Sequence, residues 1–254
     1  MINIIIRGCN GRLGQVITDI AKNDSETQVV AGIDLVPSGG VANPYPVFEH
    51  LAECDIPADI VIDCSSPKGL TELLNVCLER KLPIVLCTTG FSEEQLAQVG
   101  EAAKEIAVLR SANMSLGINT LAKLAEAAAK ILAEAGFDME IVERHHSRKL
   151  DAPSGTALLL ADRVNQALGG NYHYTFDRSG RRQERDPKEI GISAVRGGTI
   201  VGEHELIFAG RDEVIELRHT AYSREVFGTG AVQAAKFLVG KKAGMYDMQG
   251  VVGA

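Results

Sequence analysis

Between Glu143 and Ala157 the chain gathers two adjacent imidazoles, His145 and His146, the cations Arg144, Arg148 and Lys149, and the run Ser154-Gly155-Thr156. An imidazole titrates near neutrality and can deliver a proton. A lysine and the N–H groups at a helix start both attract carboxylates. The apolar spacing predicts a strand from Phe137 to His145, then a polar loop, then a helix from Ser154 to Leu168 with Ser154 as its N-cap. Adjacent histidines on a strand point to opposite faces and make poor joint metal ligands. No further His or Cys cluster completes a zinc site, so no metal is expected. Ser154 lies outside a G-x-S-x-G elbow, and a hydrolytic nucleophile is not expected. The segment reads as a proton donor placed beside a bound anion.

A second group of residues points to a nucleotide. Gly8, Cys9, Asn10, Gly11, Arg12, Leu13 and Gly14 follow the apolar run Asn3 to Ile6 and open a helix predicted over Leu13 to Ala21. Glycines there permit a tight turn and a close approach of backbone to pyrophosphate, which the helix N-terminus then attracts. The spacing is G-x-x-G-x-x-G, a variant of the usual dinucleotide fingerprint. A second strand, Gln28 to Ile33, ends at Asp34, whose carboxylate can hold both ribose hydroxyls of NAD. Asp34 is followed by Leu35, Val36 and Pro37, with no Lys or Arg between Lys22 and Lys68 to receive a 2′-phosphate. NADH is therefore the expected cofactor, and Arg12 leaves some NADPH use open. Two more polar loops follow apolar runs: Cys87, Thr88, Thr89 and Gly90, and Ser111, Ala112, Asn113 and Met114. Ligands of open α/β sheets bind at the carboxyl ends of strands, where these loops fall.

The elements that must carry these loops alternate. Asp59 to Asp63, Pro83 to Cys87 and Ala107 to Arg110 read as short buried strands, with Gly69 to Arg80 and Ser92 to Ile106 as helices between them. Such alternation implies a Rossmann-type, doubly wound parallel sheet. After Asn113 the pattern changes. A long Ala-rich helix is expected over Leu116 to Ala135, and a long polar loop over Gly169 to Glu189. Ile190 to Val195, Thr199 to Phe208 and Val214 to Ala221 read as successive strands of an antiparallel or mixed sheet. Glu225 to Val239 reads as a closing helix. The organisation expected is a dinucleotide-binding domain over 1–114 with 225–254, and an α+β substrate-binding and oligomerisation domain over 115–224, closing on a hinge near Ser115 and Arg224. Arg178 to Arg185, interleaved with acids, reads as a solvated face or mobile lid.

Bulk properties agree with an ordinary globular protein. Of 254 residues 45% are hydrophobic and 23% charged, and the formal charge of −7 argues against nucleic acid or an anionic membrane as partner. No apolar run approaches the roughly 20 residues of a membrane span. The N-terminus enters a strand directly, so no signal peptide is expected. Five cysteines, an odd number without a C-x-x-C pair, fit reduced thiols in a cytoplasmic protein.

The run Glu143 to Ala157 resembles the signature of the dihydrodipicolinate reductase family, E-x-H-H-x-x-K-x-D-A-P-S-G-T-A, and meets every fixed position of it. The resemblance extends to the glycine loop Gly8 to Gly14, T-T-G-F at Thr88 to Phe91, A-N-x-S-x-G-x-N at Ala112 to Asn119, and V-G-E-H at Val201 to His204. It implies His145 as general acid, Lys149 as second catalytic group, and His146, Ser154, Gly155 and Thr156 as contacts to the carboxylates of a small cyclic dicarboxylate. It further implies the glycine loop, Asp34, Cys87 to Gly90 and Ser111 to Met114 as the cofactor site, a homotetramer, and reduction of 4-hydroxy-tetrahydrodipicolinate to tetrahydrodipicolinate in lysine and diaminopimelate synthesis. Cys87 stands where glycine is common, Met114 where phenylalanine is common, and Leu35 where an arginine often sits. Two other readings stay in view. Another two-domain reductase, such as an amino-acid dehydrogenase, would lack the His-His-x-x-Lys run. A nicotinamide-sensing module would need a basic helix or an added partner-binding domain.

Overall fold

The computed structural model describes residues 1–36 and 41–253; Pro37 lies outside them. The chain divides into two compact units, Met1–Leu116 with Glu225–Ala254, and Gly117–Arg224. In chain order the first unit is built from β1 (Ile2–Arg7), α1 (Arg12–Lys22), β2 (Thr27–Ile33), β3 (Val47–Phe48), β4 (Ile60–Asp63), α2 (Leu70–Arg80), β5 (Ile84–Leu86), α3 (Glu93–Ala102) and β6 (Ala107–Arg110). The helix α4 (Leu116–Leu132) leads into the second unit, which continues with β7 (Asp138–His145), α5 (Gly155–Ala167), β8 (His173–Thr175), β9 (Glu189–Arg196), β10 (Gly202–Ala209) and β11 (Val214–Ala221). The chain then returns to the first unit with α6 (Glu225–Leu238), β12 (Gly244–Tyr246) and α7 (Met248–Val251).

The described residues of the first unit form a seven-stranded parallel sheet in the order β12-β6-β5-β4-β1-β2-β3. Strands of such a sheet are covered on both faces, which is why they read as continuous apolar runs rather than as alternation. In β1, Ile4, Ile5 and Ile6 are all fully buried. Ile5 packs with Leu73, Leu74 and Val99 of α2 and α3, while Ile4 and Ile6 pack on the other side with Ile17, Ala231 and Ala235 of α1 and α6. The strand order reverses at β1, between β2 and β4, so the loops after β1, β2 and β4 surround one crevice. The short strands β3 and β12 escape sequence reading because two or three residues carry no period.

The second unit holds a mixed five-stranded sheet in the order β11-β10-β7-β9-β8. The three successive strands expected here are present, but β9 and β10 are not neighbours. Strand β7 lies between them, parallel to β9 and antiparallel to β10. The extended segment expected from Thr199 begins only at Gly202, because residues 197–201 carry the chain past β7. One face of the sheet packs on α4 and α5: Ala122, Ala125 and Ala129 recur at helical spacing and meet Ile141, Leu160, Ile192 and Phe208.

The segment expected as one loop over Gly169 to Glu189 contains β8, parallel to β9. Arg178 and Arg185 are anchored by ion pairs, whereas Arg182 is exposed. Arg178 pairs with Glu140 at 2.5 Å and also with Glu189, and Arg185 pairs with Asp138 at 2.8 Å. Among the described residues no helix is long and apolar enough to cross a membrane.

Candidate active site

The glycine loop has the shape its residues predict. Gly8 adopts a φ of +83°, a left-handed conformation that favours glycine. A Cβ on Gly14 would come within 2.3 Å of the Gly8 carbonyl oxygen, so only glycine lets α1 start this close to the strand. Gly11 precedes α1 and no side chain caps the helix, which leaves its first turn directed at the crevice. Beside the loop lies a cavity of about 490 Å³, bordered among others by Gly8, Asn10, Gly11, Asp34, Ser65 and Ser66. Oδ2 of Asp34 accepts the N–H of Asn10 at 3.0 Å, which turns the carboxylate toward the loop. An amide chain locks the surroundings: Gln15 donates to the Asn43 Oδ1 at 2.8 Å, and Asn43 donates to the Asn10 Oδ1 at 2.7 Å. The close-backbone turn, the helix start, the ribose-binding acid and the adjoining cavity fit an adenine dinucleotide.

Of the other residues expected at the cofactor, several have buried side chains. Cys9 and Met114 are buried in the core beneath α6, and Thr88 is buried against Asp63. Burial, first of all, pushes the Cys9 thiol up to about 11, so it stays protonated. Leu13 is half-buried, whereas Arg12, Thr89, Gly90 and Ala112 are exposed. Ser111 Oγ donates to the Asn113 carbonyl at 3.0 Å, and the Asn113 Oδ1 accepts the Ser115 N–H at 2.8 Å, which gives the loop after β6 a fixed turn.

Sequence reasoning missed Arg7 and Asp63. Asp63, fully buried at the end of β4, accepts from Arg7 Nη1 at 2.9 Å, Ser65 Oγ at 2.6 Å and Thr88 Oγ1 at 2.7 Å. Arg7 also donates to the Lys68 carbonyl at 2.6 Å. This pair shapes the loop Cys64 to Lys68 that forms the far wall of the cavity. An ionisable residue closing each of two neighbouring apolar strands was the available signal.

In the second unit, β7 presents Glu143 and His145 on one face, two residues apart. His145 is 9% exposed and Glu143 fully buried. The His145 Nδ1 lies 2.6 Å from the Glu143 Oε2. Arg196, beside His145 in the β7–β9 register, donates to Glu143 through Nη1 at 2.9 Å and Nη2 at 2.7 Å. The Ser154 N–H donates to the Glu143 Oε1 at 2.9 Å. Burial raises the Glu143 carboxyl, but the bonds from Arg196, His145 and Ser154 outweigh it and hold it below the usual range. Burial lowers His145, and the charges of Lys149 and Arg196 add to that, against the opposing pull of Glu143.

His204, opposite Glu143 on β10, is almost fully buried, and its ring meets that of His145 edge-on at 5.2 Å. Burial, and then the neighbouring His145, push it down to about 3, so it is neutral. Its Nε2 lies 3.1 Å from the Ser154 Oγ, which accepts the Ala157 N–H at 3.2 Å and caps α5. The Ser154 hydroxyl is thus committed to shaping the helix start, with Gly155 exposed and Thr156 half-buried above it. Lys149 Nζ pairs with Asp151 at 2.8 Å. That bond, with the Gly155 N–H contributing, holds the Asp151 carboxyl below its usual range. The Nδ1 of His146 is buried and meets no partner among the described residues. No group of His, Cys, Asp and Glu among the described residues could hold a metal ion.

A parallel dinucleotide-binding unit joined to one that sets a buried imidazole near a lysine and a helix start defines a nicotinamide-dependent oxidoreductase of two units. The family described as dihydrodipicolinate reductase, N-terminus, matches residues 2–114, and dihydrodipicolinate reductase, C-terminus, matches 117–252. The chain belongs to the dihydrodipicolinate reductase family. It is 52% identical to the 4-hydroxy-tetrahydrodipicolinate reductase of Caldanaerobacter subterraneus subsp. tengcongensis, covering 99% of this chain and 98% of the relative. The enzyme of that description from Clostridium tetani is 46% identical over 98% of this chain and 96% of its own length. The dihydrodipicolinate reductase of Paenisporosarcina sp. TG-14, solved with dipicolinate bound, superposes with a TM-score of 0.82 at 26% identity, covering 97% of each chain.

Proposed function

We propose that the chain reduces 4-hydroxy-tetrahydrodipicolinate, or its dehydrated form, to tetrahydrodipicolinate on the route to diaminopimelate and lysine, with NADH as the preferred reductant. The observation that carries this reading is the Asp151 carboxylate lying against Lys149 beside the start of α5. A lysine that already holds one carboxylate is suited to exchange it for a carboxylate of the substrate. The relatives' shared name and the dipicolinate bound to the Paenisporosarcina protein support a cyclic dicarboxylate there.

The roles follow from charge and position. Lys149 exchanges Asp151 for a substrate carboxylate, and Gly155 and Thr156 receive it at the helix start, shaped by the Ser154 cap. His146 lies beside this cradle in sequence and takes part in the same contact. The bound nicotinamide supplies the hydride. The 4-hydroxyl of the hydrated form leaves as water before reduction, and His145 delivers the balancing proton to the carbon next to the one that takes the hydride. In the free protein its ring is mainly neutral, and the arriving dianion raises its proton affinity. Asp34 holds the cofactor's adenine-side ribose, the glycine loop from Gly8 to Leu13 its pyrophosphate, and the loops Cys87 to Gly90 and Ser111 to Met114 its nicotinamide half. Glu49 and Glu72 on the cavity wall join Asp34 in repelling a 2′-phosphate, and Arg12 and Lys68 are the cations that offset them. The five free thiols fit a reducing, cytoplasmic compartment. The outer face of the second sheet, with its ladder Arg144–Glu205 and Arg218–Glu203, is the surface for a homotetramer, testable by sedimentation.

The test is cofactor oxidation with freshly generated 4-hydroxy-tetrahydrodipicolinate, using NADH and NADPH in parallel. Substrate-dependent oxidation with the higher kcat/KM for NADH is expected. Equal oxidation with and without substrate overturns the activity, and a clear NADPH preference overturns the cofactor assignment alone.

A further inference from the structure

Glu143 is the most deeply buried charge of the second unit's site, and its four bonds converge from three elements. They come from His145 on its own strand, both terminal nitrogens of Arg196 on β9, and the backbone N–H of Ser154 at the start of α5. Arg196 also donates to the Asp151 carbonyl at 2.5 Å, so one guanidinium ties Glu143 to the loop that carries Lys149. We infer that Glu143, held by Arg196, is the positioning residue that fixes which nitrogen of His145 carries the transferable proton. This rests on the reading of His145 as proton donor.

Charge decides which atom of this pair donates and which accepts. A carboxylate receiving two guanidinium bonds is ionised, and an ionised carboxylate only accepts. At 2.6 Å the Nδ1 of His145 must therefore be the donor. Nδ1 is protonated in both charge states of the ring, so the proton that comes and goes is the one on Nε2. After delivery the ring is left as the Nδ1–H tautomer, with its bond to Glu143 unbroken, and needs no flip before the next turnover. Room for that nitrogen is kept by Gly202, whose Cβ, if it had one, would lie 3.1 Å from Nε2.

Arg196 serves a second purpose. Alone, a buried carboxylate would hold the imidazole permanently charged, and the guanidinium offsets that pull. The other groups facing the ring are His204 from β10, with His219 behind it on β11, Lys149 from the loop, and Ser154 from α5. Both of those imidazoles are pushed toward the neutral form, first by burial. Glu143 is thus the sole negative side chain touching His145 among the described residues.

Three measurements separate this role from mere scaffolding. In the wild-type protein without cofactor, ring nitrogen NMR should find neutral His145 protonated at Nδ1; a proton on Nε2 overturns the inference. In Glu143→Gln, kcat should fall by about tenfold to a hundredfold while dipicolinate affinity changes by less than about threefold. The fall of kcat with rising pH should also move about one unit lower, because the imidazolium has lost its counter-charge. Glu143→Asp, which keeps the charge, should restore most of that shift. An unmoved pH limb in Glu143→Gln, or near-normal turnover, contradicts the proposal. If Glu143→Gln proves unfolded, the nitrogen spectrum and the Glu143→Asp pH profile decide. His145→Ala keeps the two readings apart: should it remain active, the donor assignment fails, whereas an inactive His145→Ala beside an unaffected Glu143→Gln sinks only the role given to Glu143.

Discussion

Each imidazole in the second unit has its own environment, and the environments assign the work. His145 touches a carboxylate and keeps access to charge, while His204 is sealed, neutral and bonded to a hydroxyl. Replacing His145 or Lys149 by Ala should each lower kcat by about a hundredfold or more, read from steady-state rates. Near-normal turnover in both variants contradicts the site. His204 makes a prediction about stability. A histidine titrates near 6.5 when unfolded, but His204 does so at about 3 when folded. The unfolded chain therefore binds the proton first, and stability present above about pH 6.5 is lost as pH falls, by up to about 1.4 kcal/mol per unit. His145 and His219, also lowered, act in the same direction. Urea unfolding near pH 7 and near pH 5 should show a smaller acid loss in His204→Gln than in the wild type; equal losses would refute this. At this scale the sequence singled out the residues proposed to react but not the side chains around them. The alternation that separates His145 from His146 also puts Glu143 on the face of His145, and that signal was readable. Arg196 and His204 were not, because only the β7–β9 and β7–β10 registers bring them alongside.

Strands and helices set where those groups stand. The cap at Ser154 and the glycine loop were both readable, since each depends on residue type at a single turn. Ser154→Ala should cost about 1 kcal/mol of stability through the lost cap and raise KM for the substrate by loosening the start of α5. Thermal unfolding and kinetics check it, and an unchanged KM would separate the cap from the anion cradle. Gly14→Ala places a methyl group against the backbone of Gly8 and Cys9, which has no side chain to move aside. NADH affinity should drop at least about tenfold, or about 1.4 kcal/mol, by calorimetric titration; unaltered affinity would contradict the loop's role. Less readable were β3, β8 and β12, too short to show a period, and the placing of β7 between β9 and β10. Consecutive strands joined by glycines look like hairpins, and only the need to bury both flanks of β7 sends the chain across it.

Across the whole molecule, the first unit is discontinuous in sequence. Its last helix, α6, comes after the second unit, yet supplies Ala231, Val232 and Ala235 to the core around Ile4 and Ile6. Parallel strands followed by a mixed sheet and a closing apolar helix made that return readable. The expectation of NADH came from Asp34 and the lack of a Lys or Arg between Lys22 and Lys68, whereas a homotetramer was suggested only by the family resemblance, because assembly depends on a second copy. The proposed reaction moves a hydride onto a cyclic dicarboxylate. The direct measurement is the mass of tetrahydrodipicolinate formed from NADH deuterated on the transferring face of its nicotinamide ring. Product one deuterium heavier than that from ordinary NADH is expected. Product free of deuterium, or deuterated cofactor left unconsumed in the presence of substrate, would contradict it.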